Sequence, residues 1–226
     1  MSRVTQAENQ GWGPEREEEL RQAWVGEPPK LTGQVQLAEY DPGWPGQYGS
    51  HAARIRAALG DRVLLLEHIG STSVPGLAAK PVIDILLAVA DPAEEDAYVR
   101  PLERAGYRLV IREPDWYQHR VLNGPQGTEP GVNLHVHPPD SPEIARNLRF
   151  RDRLRADRAD RELYERTKRQ LAGRDWTYMQ QYADAKGEVV EAIMRRAEAA
   201  DVGAADPPDD SRPRSLPSSQ PPHPSR

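Results

Sequence analysis

Glu67-His68-Ile69-Gly70-Ser71-Thr72-Ser73-Val74-Pro75-Gly76-Leu77-Ala78-Ala79-Lys80-Pro81-Val82-Ile83-Asp84-Ile85 is the stretch on which the reading of this chain turns. The apolar run Val63–Ile69 has the length of a buried strand and stops at Gly70. Three hydroxyl residues follow, and Pro75-Gly76 turns the chain. Glycines let backbone N–H groups approach an anion, and short hydroxyls add donors. Leu77–Lys80 is long enough for one helical turn, whose N-terminus would favour negative charge. Lys80 places a full charge beside the next apolar run, Val82–Val89. Asp84 interrupts that run, and an ionised carboxylate inside a strand needs a partner: a metal ion, a cation, or the turn it caps. Ser71 and Thr72 are expected to line the largest polar pocket. The spacing is not that of a Walker loop, because Gly-x-x-x-x-Gly-Lys-Ser/Thr is absent.

Outward from this stretch the periods change in a regular way. Tyr48, Ala52, Ile55 and Leu59 mark one face of a helix ending at Gly60. Asp91-Pro92-Ala93-Glu94 reads as a capping box opening a helix to Ala105, closed by Gly106. Tyr107–Ile111, Tyr117–Leu122 and Val132–His137 read as strands, and Leu31–Leu37 as a short edge strand. Ser141-Pro142-Glu143 starts a helix through Leu148 and Leu154. Asp160 caps a second, with Leu163, Thr167 and Leu171 on one side. Met179, Tyr182, Lys186, Val189, Ile193 and Ala197 mark one last amphipathic helix. The fold class is α/β (α+β): a mixed β-sheet core with a helical C-terminal portion.

The 226 residues carry a net charge of −5 and no cysteine. That excludes disulfides and thiolate metal sites, and gives no general attraction to nucleic acid or anionic membrane. No segment approaches the roughly 18 apolar residues of a membrane span. The N-terminal residues lack a secretory pattern, so a cytoplasmic location is expected. Residues 1–33 are polar and read as a mobile leader, with a short helix as the alternative. Residues 203–226 contain seven prolines and read as disordered, with the tail drawn from 201. The folded domain is expected at 34–200, and proteolysis is expected to trim both ends.

Residues 146–174 hold eleven Arg or Lys and five Asp or Glu. A solvated helix face is one explanation. The other is that Arg151 or Arg155, which share a face, turns toward the Ser71–Lys80 loop and closes a phosphate or carboxylate site. The positive stretch is too short and too poor in aromatics to argue for nucleic acid. Lys186, on the apolar face of its helix, either snorkels or reaches an anion or an acid such as Glu67 or Asp84.

The run His68-Ile69-Gly70-Ser71-Thr72-Ser73-Val74-Pro75-Gly76-Leu77, continued by Lys80-Pro81 and Ile83-Asp84, resembles the signature of the GrpB family. Tyr40-Asp41-Pro42 with Trp44, Leu134-His135-Val136, and Phe150-Arg151-Asp152 with Leu154-Arg155 match it too. So do Tyr164 with Lys168 and Tyr182 with Lys186. The resemblance spans residues 35–198. It implies a nucleotidyltransferase-like fold related to DNA polymerase beta, and kinship with an accessory domain fused to dephospho-CoA kinase. Nucleotide-transferring members of that superfamily carry Gly-Ser, then Asp-x-Asp, then a third acid, and hold two Mg²⁺ ions. Here Gly70-Ser71 and Asp84 match, Val82 stands where the first acid belongs, and His135 stands for the third.

The resemblance thus makes Asp84 and His135 candidate catalytic residues. His68, Gly70, Ser71, Thr72, Ser73, Lys80, Arg151, Arg155 and Lys186 become candidate phosphate-ligand residues. Asp84, His135 and His137 are candidate ligands of a divalent metal, Mg²⁺, Mn²⁺ or Zn²⁺. Asn133, His135 and His137 share one strand face, and His/Asp ligation suits Zn²⁺ or Mn²⁺ better than Mg²⁺. The competing explanation is that the histidines bond a phosphate or a neighbouring strand. The expected partner is a nucleotide or other phosphate-bearing small molecule, held with degraded two-metal chemistry. Active nucleotidyl or phosphoryl transfer, and an accessory role beside a CoA-biosynthesis kinase, are the alternatives.

Overall fold

The computed structural model describes residues 12–205, with side chains through residue 201. In chain order it contains α1 (Pro14–Ala23), α2 (Trp44–Leu59), β1 (Leu65–Ile69), β2 (Val82–Ala88), α3 (Glu95–Arg104) and β3 (Arg108–Glu113). Then come β4 (His119–Asn123), β5 (Gly131–His137), α4 (Pro142–Ala156), α5 (Arg158–Ala172), α6 (Met179–Asp184) and α7 (Gly187–Ala205). The sheet order is β1-β2-β5-β4-β3. Only the β2–β5 pair is parallel, and the rest are antiparallel.

Alternation along the strands divides the sheet into two faces. Ile83, Ile85 and Leu87 of β2, with Val132, Leu134 and Val136 of β5, pack under Ala52, Ile55 and Leu59 of α2 and Tyr98 and Leu102 of α3. Each fully buried Leu or Ile there contributes roughly 1.5–3 kcal/mol. The register puts Asp84 beside Asn133 and Leu86 beside His135, so Asp84, Asn133 and His135 share the opposite face, as the alternation predicts. A second cluster, Val74, Leu77, Leu154, Tyr164 and Ile193, fastens the loop between β1 and β2 to α4, α5 and α7.

Several boundaries differ from the sequence reading for identifiable reasons. Asp91 accepts from the Ala93 N–H at 2.8 Å and so closes a turn, and α3 starts at Glu95. Tyr117 and Gln118 adopt left-handed φ of 51° and 52°, which delays β4 to His119. Leu31–Leu37 form no strand. Leu31, Val35 and Leu37 pack on Leu171, Trp176 and Tyr182 instead, and Ala38 makes a single bridge to Ala79. The helix expected over Met179–Ala197 is broken at Ala185-Lys186 into α6 and α7, just before Gly187. The buried stripe of α5 is Asp160, Tyr164, Lys168 and Leu171, one position round from the expected face.

The leader reading is corrected over residues 12–33. Trp12 stacks on Tyr178 at 6.4 Å, and Tyr178 donates to Glu17 at 3.0 Å. Val25 N–H donates to Val110 O at 2.8 Å, so residues next to α1 lengthen the β3 edge. Residues 1–11 lie outside the described region. So does 206–226 of the expected tail, while 201–205 continue α7. No described helix is long and apolar enough to cross a membrane.

Candidate functional site

Gly70 leaves β1 with φ +68°, a conformation glycine adopts without strain. The next residues, Ser71–Ser73, make one tight 3-10 turn. Leu77–Lys80, expected as a helical turn, forms no helix, and Ala79 bridges to Ala38. Two hydroxyls of the turn are taken up inside the protein. Ser73 Oγ donates to Gly70 O at 2.6 Å, and Thr72 Oγ1 donates to Val82 O at 3.0 Å. Thr72 therefore accepts from His68 Nε2 at 3.1 Å, which fixes that ring's tautomer. His68 also stacks on Tyr48 at 4.8 Å, and burial pushes its imidazole down to about 4. Thr72, Ser73 and His68 thus hold the loop's shape.

Ser71 faces the other way. Lys168 of α5 donates to Ser71 Oγ at 3.0 Å and also to Ala78 O. Burial, then the neighbouring Lys186, push the Lys168 ammonium down to about 7. Burial also lowers Lys80 and Lys186, and Asp84 opposes the shift in both. Lys186 sits 4.6 Å above the Tyr182 ring and Lys168 5.0 Å from that of Tyr164. Tyr182 Oη is buried with no hydrogen-bond partner among the described residues. Three ammoniums thus gather around Ser71 and Asp84.

Sequence reasoning named Lys80 and Lys186 as site residues but placed Lys168 only in the family pattern. The readable signal was a repeated Tyr-x-x-x-Lys, Tyr164/Lys168 and Tyr182/Lys186, each lysine one helical turn after its tyrosine.

Asp84 receives Asn133 Nδ2 at 3.0 Å on Oδ1, and Asn133 in turn accepts from Asn123 at 3.1 Å. His135 Nε2 stands 3.8 Å from the same oxygen, and both side chains are 28% exposed. Burial pushes the Asp84 carboxyl up, but His135, Lys80 and Asn133 outweigh it and hold it below the usual range. The third candidate metal ligand is not brought in. His137 stacks on His119 at 4.5 Å, under the edge of Trp116, and its Nδ1 meets Ser141. Among the described residues no group of three or more His, Asp or Glu converges for a metal. Asn133 turns its donor N–H to Asp84, and the Val82 side chain offers no oxygen. This set does not fit a two-metal centre.

Arg151 and Arg155 do turn toward the loop. Arg151 donates to Glu67 at 2.8 Å and His68 O at 3.1 Å, and Arg155 grips Ser73 O with two N–H groups at 3.1 and 2.9 Å. With Tyr40, Tyr48, Glu67 and His68 they line an open cavity of about 620 Å³ at the outer edge of β1. Ser71 and Thr72 are not among the residues lining that cavity.

A family model described as GrpB protein matches residues 34–196. A UPF0157 protein of Halalkalibacterium halodurans is 52% identical over 186 residues, covering 82% of this chain and 94% of that one. The crystal structure of the conserved protein GrpB from Enterococcus faecalis superposes with a TM-score of 0.65 at 32% identity. It covers 74% of this chain and 99% of that one. A dephospho-CoA kinase of Mycobacterium bovis is 30% identical over 155 residues, which is 58% of this chain and 38% of the kinase. The matched span takes in the loop, Asp84, His135 and the three lysines, and on these grounds the chain belongs to the GrpB family.

Proposed function

We propose that this protein binds a phosphate-bearing small molecule at the face formed by Ser71, Asp84, Lys80, Lys168 and Lys186, without two-metal catalysis. One observation carries the reading. Lys168 reaches 97 residues back to Ser71, is pushed down to about 7, and shares the site with two further lysines that are also lowered. Burial lowers all three, and Lys186 adds to the lowering of Lys80 and Lys168, so an anion placed among them restores their charged forms. Asp84 is the carboxylate that acts on both Lys80 and Lys186, and it leaves the group net positive. A nucleotide fits this chemistry, as does a CoA precursor, in keeping with the partial likeness to dephospho-CoA kinases.

The catalytic alternative needs carboxylates to hold metal, and the Val82 side chain cannot serve. The test is a calorimetric and thermal-shift series with pyrophosphate, nucleotides and CoA precursors. A ligand at about 100 times its dissociation constant adds roughly 2.7 kcal/mol to native stability. Lys168→Met should lower affinity at least tenfold. Asp84→Asn should leave it unchanged or improve it, by removing repulsion from the phosphate. Metal-dependent turnover of a nucleoside triphosphate, lost in Asp84→Asn, would overturn the non-catalytic reading. No binding of any phosphate compound would overturn the reading altogether.

A further inference from the structure

The cavity of about 620 Å³ at the outer edge of β1 is no part of the lysine cluster, since neither Lys80, Lys168 nor Lys186 lines it. Its volume is that of a small-molecule pocket. Tyr40, Pro45, Tyr48 and Pro75 supply apolar walls. The two rings are already fixed in place. Tyr40 meets Trp44 edge-on at 5.4 Å. Tyr48 lies flat on His68 at 4.8 Å and donates through Oη to Leu66 O at 3.0 Å. Walls ordered in advance lower the cost of binding.

Three arginines give this cavity its charge, and one of them has donors to spare. Arg151 has every nitrogen engaged: Nη1 donates to Glu67 and to His68 O, and Nε and Nη2 donate to Asp152 at 2.8 and 3.2 Å. Arg155 turns Nε and Nη2 to Ser73 O and Nη1 to Asp152 at 3.3 Å. Arg161 Nη1 donates to Leu154 O at 3.1 Å and Arg155 O at 3.3 Å, which anchors one end of the guanidinium on the last turn of α4. Its Nε and Nη2 have no partner among the described residues, and no carboxylate there pairs with it. Those two nitrogens make the edge that meets a carboxylate with two parallel N–H bonds.

Charge decides which kind of anion fits. Three guanidiniums face Glu67 and Asp152, both already bonded to Arg151, and one positive charge is left over. Burial, then the neighbouring Arg151, push the Arg155 guanidinium down, and Asp152 and Glu67 offset this only in part. A monoanion balances the remainder, whereas a phosphate dianion would bring an excess beside Glu67.

We propose that this cavity is a second binding site, for an aromatic monocarboxylate, with the carboxylate on Nε and Nη2 of Arg161 and the ring against Tyr40 and Tyr48. The site stands independently of phosphate binding at the lysines.

The test uses 2-naphthoate and titration calorimetry on the full chain. The wild type should bind it at least tenfold more tightly than 2-naphthylmethanol, which has the ring without the charge, and than acetate, which has the charge without the ring. Affinity should fall about tenfold or more in Arg161→Met and stay unchanged in Lys168→Met. In the Lys168→Met protein, 2-naphthyl phosphate should bind more weakly than 2-naphthoate. Amide spectra of the wild type, which need no variant to fold, should show 2-naphthoate shifting Tyr48 and Ser73 and leaving Lys186 in place. No binding of 2-naphthoate overturns the inference, as does equal binding of the alcohol or of acetate. Loss of affinity in Lys168→Met with none in Arg161→Met, or shifts centred on Lys186, overturns the location. Tighter binding of the phosphate in Lys168→Met overturns the monocarboxylate assignment.

Discussion

A Cβ atom at position 70 would stand 2.3 Å from Oδ2 of Asp84, so the glycine and the carboxylate occupy one another's space. Gly70 also has a φ of +68°, which an L side chain adopts only with strain. Gly70→Ala should therefore lose about 2–4 kcal/mol of stability, with roughly 1–3 from the backbone and the remainder from the clash. Denaturant unfolding checks this. Adding Asp84→Ala removes the Oδ2 contact but keeps the Cβ at 3.0 Å, so it should recover most of the second part and leave the first.

Lys168 makes both stability and binding depend on pH. Its folded value of about 7 lies below the ordinary 10.5, so between these the unfolded chain holds a proton the folded one has shed. Folding stability should rise with pH across that window, and the rise should flatten in Lys168→Met. Phosphate binding favours the ammonium, so affinity should fall over the same window. Calorimetry in buffers of different ionisation enthalpy, at pH 8, should register proton uptake.

On the acid side the buried histidines take over. Burial lowers His68 to about 4 and His137 to about 3, and the neighbouring imidazoles add to the shift of His137. Their contribution is complete above the ordinary 6.5 and is lost as pH falls from there through these values. His137→Phe should shift the acid unfolding midpoint downward, as followed by circular dichroism.

Arg155 holds Ser73 O with a two-pronged grip that an ammonium cannot copy. Arg155→Lys should cost roughly 1 kcal/mol and raise amide exchange in the Ser71–Ser73 turn. Asp152→Ala, which frees both Arg151 and Arg155 of a surface partner, should cost less.

Removal of residues 1–30 takes away the Trp12–Tyr178 stack, the Tyr178–Glu17 bond and the strand extension at Val25. The shortened chain should melt several degrees lower than the full one by calorimetry, since about 1 kcal/mol moves the midpoint by roughly 2–4 °C in a chain of this size.

What could be read in advance followed local period. Asp84 stood out because a carboxylate broke an apolar strand, and Asn133, His135 and His137 shared a face because strands alternate. What could not be read depended on where one element lands against another. Trp24 and Val25 sit in a polar stretch, and nothing local says that their backbone meets β3. Lys168 follows Tyr164 by one turn, but a lysine at that spacing is equally at home on a wet helix face. The break at Lys186 had a local sign in Gly187, outweighed by the apolar residues on either side. His119 gave none, because its part depends on the register that sets Val121 opposite His135.

The bond from Lys168 to Ser71 also orders events in time. A ribosome delivers β1 through β5 well before α5 emerges, so the sheet can pair while Ser71 still lacks its lysine. Contacts of such long sequence separation close late, after nearer ones have reduced the chain's freedom. Ligand capture is then the last property a newly made or refolding molecule acquires, and strand pairing the earlier one.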